Sequence, residues 1–172
     1  MKKLVEVKDG EIFAIPLFVA NLSPITRFTK KDFAGPDKSF AFMRVITDTG
    51  GSGIIIEVFD LRGNLATPIS DIIKARRLFR PIAVTSLAIY KKRWPRLGIH
   101  PGFDRERDSG YSAIELVMSP FDHPNLWRGG STSAIPVAEA GKYEPWTLWG
   151  AHHLERRILE ELQRRTLEPE SS

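Results

Sequence analysis

Few side chains in this sequence are placed for acid–base or metal chemistry. The four histidines are His100, His123, His152 and His153, and none stands in a His-x-x-x-His pair. As helix neighbours, His152 and His153 would point about 100° apart and could not chelate one ion together. Asp104, Asp108 and Asp122 are scattered through segments that read as loops. A small hydrolase would need them to meet His100 or His123 in space, and nothing in the spacing demands it. Asp48-Thr49-Gly50 imitates the aspartic protease triplet, but that chemistry needs two such aspartates sharing a proton. Residues 48–53 (DTGGSG) read instead as a glycine-rich turn between two apolar runs, and they lack the Gly-Lys-Ser/Thr ending of a phosphate loop. The absence of cysteine removes disulfides, thiolate metal sites and thiol nucleophiles. The expectation is a non-enzyme with no cofactor and no metal.

Charge carries the stronger signal. The chain has a net charge of +4, yet residues 74–107 hold ten basic side chains against Asp104 and Glu106. That segment is +8 and the rest of the chain −4, an asymmetry that speaks of partners more than of fold. Its densest part is Lys91-Lys92-Arg93-Trp94-Pro95-Arg96. Trp and Arg are the residues that most often anchor an interface, and Lys at a rim speeds encounter. Lys91, Lys92, Arg93, Trp94 and Arg96 are therefore the candidate contact surface for a protein with an acidic face, with loop 20–38 as a second element. Phe79, Tyr90, Trp94 and Phe103 interleave with the cations, so a nucleic-acid-binding module using residues 74–107 is the alternative. A third reading puts Trp94 in the core.

The elements that position these residues are mostly strands. Residues 8–19 (KDGEIFAIPLFV) open on a charged turn. Phe13, Ile15, Leu17 and Val19 then fall on one face, with Ile12, Ala14, Pro16 and Phe18 on the other. Pro16 lacks a ladder donor, which predicts an edge position or a bulge. Residues 39–47 (SFAFMRVIT) are apolar on both faces and read as a central strand, except that Arg44 interrupts one of them. Residues 54–59 complete a hairpin, with Glu57 on the face opposite to Ile54, Ile56 and Val58. An arginine on such a face is rarely buried unpaired. Arg44 and Glu57 are the expected structural ion pair, the other reading being a guanidinium presented at the sheet rim.

The Asp-Gly-Glu turn, the Ile-Phe-Ala-Ile-Pro-Leu strand and Phe40-Ala41-Phe42 followed by Arg44-Val45 together resemble the opening of the immunity protein 26 family of bacterial polymorphic-toxin systems. A fainter likeness follows at Trp94 and Leu97-Gly98-Ile99. The family pattern joins its first two strands by a tight hairpin, whereas residues 20–38 intervene here. The resemblance implies a factor that neutralises a cognate toxin by occluding it, a role that needs surface complementarity and no catalytic motif.

Elsewhere the pattern predicts a turn at 60–64, a short helix ending near Ala75 and capped by Thr67 or Ser70, and strands at 78–79, 82–90 and 111–119. Segments 94–109 and 120–133 read as loops, and 134–138 as a short strand. Leu154, Ile158 and Leu162 recur at i, i+4 and i+8, with Ala151 on the same stripe, which predicts a helix over 150–166. The expected architecture is one α+β domain over residues 1–172. Its β core of a strand-dominated twisted antiparallel sheet or partial barrel lies within 1–149, and the C-terminal amphipathic helix docks on it. The MKKL start hints at a secretion signal, but Glu6, Asp9 and Glu11 occupy the region that should be positive and Pro16 breaks the apolar run. A cytoplasmic location without membrane contact is expected.

Overall fold

The computed structural model describes residues 5–18 and 28–168. Val19 and residues 20–27 of loop 20–38 lie outside the described residues. The chain forms β1 (Glu11–Pro16), β2 (Phe40–Asp48), β3 (Ile54–Gly63), α1 (Ile69–Ile72), β4 (Ile82–Val84), α2 (Leu87–Tyr90) and β5 (Arg96–Ile99). There follow α3 (Arg105–Ser109), β6 (Glu115–Met118), β7 (Asn125–Arg128), β8 (Ser131–Ala134), β9 (Leu148–Trp149) and α4 (Ala151–Leu167). Six strands make one sheet in the order β5-β1-β2-β3-β4-β9, and β6-β7-β8 make a second. Pairing is antiparallel throughout except between β4 and β9, so the main sheet is mixed. The fold is α+β and strand-dominated, with a C-terminal helix.

Alternation in β1, β2 and β3 decides what lies on each side of the main sheet. Phe13, Ile15, Ala41, Met43, Val45, Ile54, Ile56 and Val58 face α4 and enclose Leu154, Ile158 and Leu162 in the largest core cluster. Burying this stripe is what holds the helix to the sheet, and Ile158→Ala is expected to cost about 2–5 kcal/mol in a denaturant melt. The opposite face is divided. Ile12, Ala14, Phe40, Phe42, Phe59 and Ile72 form one small cluster, and Ile46, Ile55, Ile114, Leu116 and Trp127 form another beneath the second sheet. Between Phe42 and Ile46 on β2 sits Arg44, and between Ile55 and Phe59 on β3 sits Glu57. The two are direct cross-strand partners.

Pro16 is compatible with a non-edge strand because β5 covers only the first half of β1. The pairs are Glu11 with Ile99, Ile12 with Gly98 and Phe13 with Arg96, with a register shift after Ile12. Pro16 lies beyond them and pairs only with Phe40 on the β2 side.

Several sequence boundaries move. β3 continues through the expected turn at 60–64 to Gly63, which pairs with Phe40. The helix after it starts at Ile69 with Pro68 at its N-cap, and neither Thr67 nor Ser70 supplies a side-chain cap. The strand expected over 82–90 ends at Val84, where Thr85 N–H donates to the Trp149 carbonyl, and residues 87–90 turn into α2. Segment 94–109 contains β5 and α3 rather than loop alone. In segment 120–133, β7 and β8 are joined by Gly129 and Gly130, both at positive φ, as a two-residue hairpin turn requires. Residues 137–142 form a 3₁₀ helix in place of the end of the expected strand at 134–138.

Candidate partner-binding surface

The basic stretch 91–96 wraps the end of the one-turn helix α2. Arg93 N–H donates to the Ala88 carbonyl and Lys92 N–H to that of Ile89. This tight stop holds Lys92 at φ 60°, in the left-handed region that favours glycine. The ridge therefore divides. Lys92 and Arg96 are exposed and Lys91 half-buried, whereas Trp94 is 1% exposed and Arg93 is buried. Trp94 belongs to the large core cluster. Burial thus takes Arg93 and Trp94 out of the exposed ridge, which leaves Lys91, Lys92 and Arg96 as its solvent-accessible cations.

The reason Arg93 goes inward is Glu155, which lies on the inner side of α4 with no solvent exposure. The guanidinium grips this carboxylate through Nη2 at 2.6 Å and Nε at 2.8 Å, and the Trp94 indole Nε1 lies 3.4 Å from Oε2. Burial pushes the Glu155 carboxyl above its usual range, against the opposing pull of Arg93. Arg96 stays outside and pairs with Glu11 at 2.8 Å. Among the described residues, the side chains of Lys91 and Lys92 have no ion-pair partner.

Beside the ridge runs a groove of about 1230 Å³. Its lining joins Lys92, Trp94 and Arg96 to residues 28–34, so the structure brings the end of the long loop against the basic stretch. Phe28 N–H donates to the Lys91 carbonyl at 3.3 Å, the Phe28 ring stacks on Phe33 with centroids 5.8 Å apart, and Arg93 lies over Phe28 at 5.4 Å.

A second polar constellation fills the gap between the two small clusters. Arg44 Nη2 lies 3.1 Å from Glu57 Oε2, and these side chains are 4% and 3% exposed. The same guanidinium donates from Nη2 to the Asp108 carbonyl at 3.0 Å, and Nη1 lies 2.9 Å from His100 Nδ1. Glu57 also accepts from Arg77 Nε at 3.0 Å and from the Ser109 hydroxyl. Phe59 and Phe103 cover the Arg44 guanidinium at 5.2 and 5.0 Å. Gly10 makes room for Phe103: at φ 87°, an added Cβ would meet the Phe103 Cβ at 2.6 Å. Sequence spacing pointed to Arg44 and Glu57 but gave no hint of Arg77, Ser109 or His100 as their neighbours, because all three arrive from beyond the hairpin.

The family model described as immunity protein 26 matches residues 8–122. The chain belongs to the immunity protein 26 family. No curated protein and no solved structure matches it. The span shared with the immunity protein 26 family runs from the turn before β1 to just beyond β6, so it contains the Arg44–Glu57 constellation and the ridge. Glu155, which anchors Arg93, lies on α4 outside that span.

In this immunity protein 26 chain the histidines and loop aspartates do not gather into one site, although Asp108 lies near enough to His100 to act on its titration. His123 and Asp122 form an exposed pair at 3.4 Å, and His152 lies 3.2 Å from Arg156 on α4. Among the described residues no group of three or more His, Asp or Glu is arranged to hold a metal ion, and no helix is long and apolar enough to cross a membrane. His100 alone joins a network. Arginine only donates, so Nδ1 must accept, which leaves the imidazole neutral with its proton on Nε2. Burial first, and then the Arg44 charge, lower the His100 pKa below 6.5, while Asp108 and Glu57 oppose and Arg107 assists. A depressed histidine contributes stability above its unfolded pKa and loses it as pH falls through the folded one. Stability is therefore expected to decline as pH drops below about 6.5. His100→Gln should flatten that part of the curve in denaturant melts across pH; an unchanged slope would assign the loss elsewhere.

Proposed function

We propose that the chain is a cytoplasmic immunity protein that neutralises a cognate toxin by direct binding, without catalysis. Its exposed cations, Lys91, Lys92 and Arg96, meet an acidic surface of that toxin. Membership of the immunity protein 26 family is the observation that carries the reading. The local chemistry agrees with it. Two lysines without ion-pair partners among the described residues stand beside an apolar groove, and one of them is held in a backbone conformation that costs free energy. Backbone strain of this kind collects at functional positions.

Nucleic-acid binding draws less support. Of the ten basic residues between 74 and 107, Arg76, Arg77, Arg93, Arg96 and Arg107 are engaged by Asp60, Glu57, Glu155, Glu11 and Asp108. Half of the positive charge counted in the sequence is thus matched locally.

The test reverses charge only where the fold does not use it. Lys91→Glu with Lys92→Glu should leave the melting temperature nearly unchanged and abolish protection against the product of the neighbouring toxin gene. The loss of binding should be greatest at low salt, where rim charges act most strongly on encounter. Full protection by the folded double variant would remove this surface from the mechanism. Binding of labelled oligonucleotides that weakens with salt would favour the alternative instead.

A further inference from the structure

We propose that the groove beside the ridge receives an acidic segment of the toxin, and that one large apolar side chain of that segment lodges inside it. This rests on the toxin-binding reading and specifies how the contact is made. At about 1230 Å³ the groove is larger than the ~300–1,000 Å³ usual for a small-molecule site, a size that suits a stretch of chain. Its exposed apolar lining comes from Leu65 and Tyr90 with half-buried Val5, Phe33 and Leu97, over a floor of buried Phe13, Phe28 and Trp94. Its charged lining residues are Lys30, Lys92 and Arg96. No carboxylate lines it among the described residues. An apolar pocket ringed by cations is complementary to an apolar anchor flanked by Asp or Glu. Arg96 already has Glu11, but Lys30 and Lys92 have no ion-pair partner among the described residues. A neutral occupant would leave these two without counter-charge, and a basic one would be repelled.

The site is also held in shape before anything binds. Trp94 is fixed through Glu155 and Phe28 through its stack on Phe33 and its bond to Lys91. Pre-organisation of this kind lowers the ordering cost of association. Leu65 and Tyr90 leave 39% and 40% of their surface exposed at the lining, apolar area that a partner would cover.

The experiment uses the full chain and the neighbouring-gene toxin, inactivated by mutation, in a calorimetric titration. Ala34→Trp would fill the groove from its wall, and Leu65→Trp would do so from a second side in case the first variant fails to fold. Each folded variant should weaken binding by about 30-fold or more, the equivalent of one lost hot spot. A photo-crosslinker at position 90 should capture a toxin peptide rich in Asp and Glu around a large apolar residue. Folded variants that bind as tightly as the wild type overturn the groove while leaving the toxin-binding reading intact. So does a crosslink to a neutral or basic segment. A crosslink to co-purified nucleic acid, or no binding of the toxin by the wild type, overturns both.

Discussion

Replacing Glu57 by alanine should lower stability by about 3–5 kcal/mol, because it strands the Arg44 guanidinium in the sheet with no carboxylate. Arg44 is 4% exposed at its side chain and cannot reach water without breaking the packing of Phe59 and Phe103 over it. Arg77, the other cation on Glu57, is 36% exposed and rehydrates, so its loss adds little. Against a total stability of roughly 5–15 kcal/mol for a domain, the change is enough to leave a large unfolded fraction. The denaturation midpoint should fall with little change in slope. Replacing both partners, Arg44→Met with Glu57→Leu, should cost much less than Glu57→Ala alone, since no buried charge then remains. Equal losses for the single and double variants would show that the pair acts through shape and not through charge.

Glu155→Ala is expected to cost a similar amount, about 3–5 kcal/mol, by leaving Arg93 buried and unmatched on that side. The pH dependence at this site runs opposite to that of His100. Burial raises the Glu155 pKa from 4.5, so the folded state holds the proton longer than the unfolded chain. Its contribution is fully present below 4.5 and is lost as pH rises through the raised value. Glu155→Gln keeps the shape and removes the titration, so it should flatten that segment of the stability curve and cost less than alanine. The same geometry fixes the expectation for Trp94: its truncation should destabilise the fold before any effect on a partner is measurable. Arg93→Glu would place two carboxylates together in the core, which is why the charge reversal above spares it.

The centre of the main sheet was legible because β1, β2 and β3 are its long strands and are apolar on both faces, so a single charged residue stands out. Arg44 and Glu57 lie 13 residues apart across one glycine-rich turn, and the turn sets their register. Arg93 and Glu155 are 62 residues apart, and no local pattern announces that the helix will bring a glutamate onto its buried side. The i, i+4, i+8 stripe found Leu154, Ile158 and Leu162, but it treats the intervening Glu155 as polar and therefore outward. Strand β5 escaped because it is four residues long, contains Gly98 and is largely exposed, so it carries no alternation. Strand β8, Ser-Thr-Ser-Ala and exposed throughout, is defined only by its pairing with β7. Trp94 beside three cations reads as an interface anchor from composition. It is a core residue whose indole is held by a carboxylate that the neighbouring arginine also binds.

Neutralisation by binding and neutralisation by chemistry separate most directly in a titration of toxin activity against the purified chain. Inhibition should rise linearly and reach completion at a fixed stoichiometric equivalence, with activity returning when the complex is dissociated. Complete inactivation at a small fraction of an equivalent, or toxin that stays inactive after separation, would mean that the chain turns over, and would contradict neutralisation by occlusion.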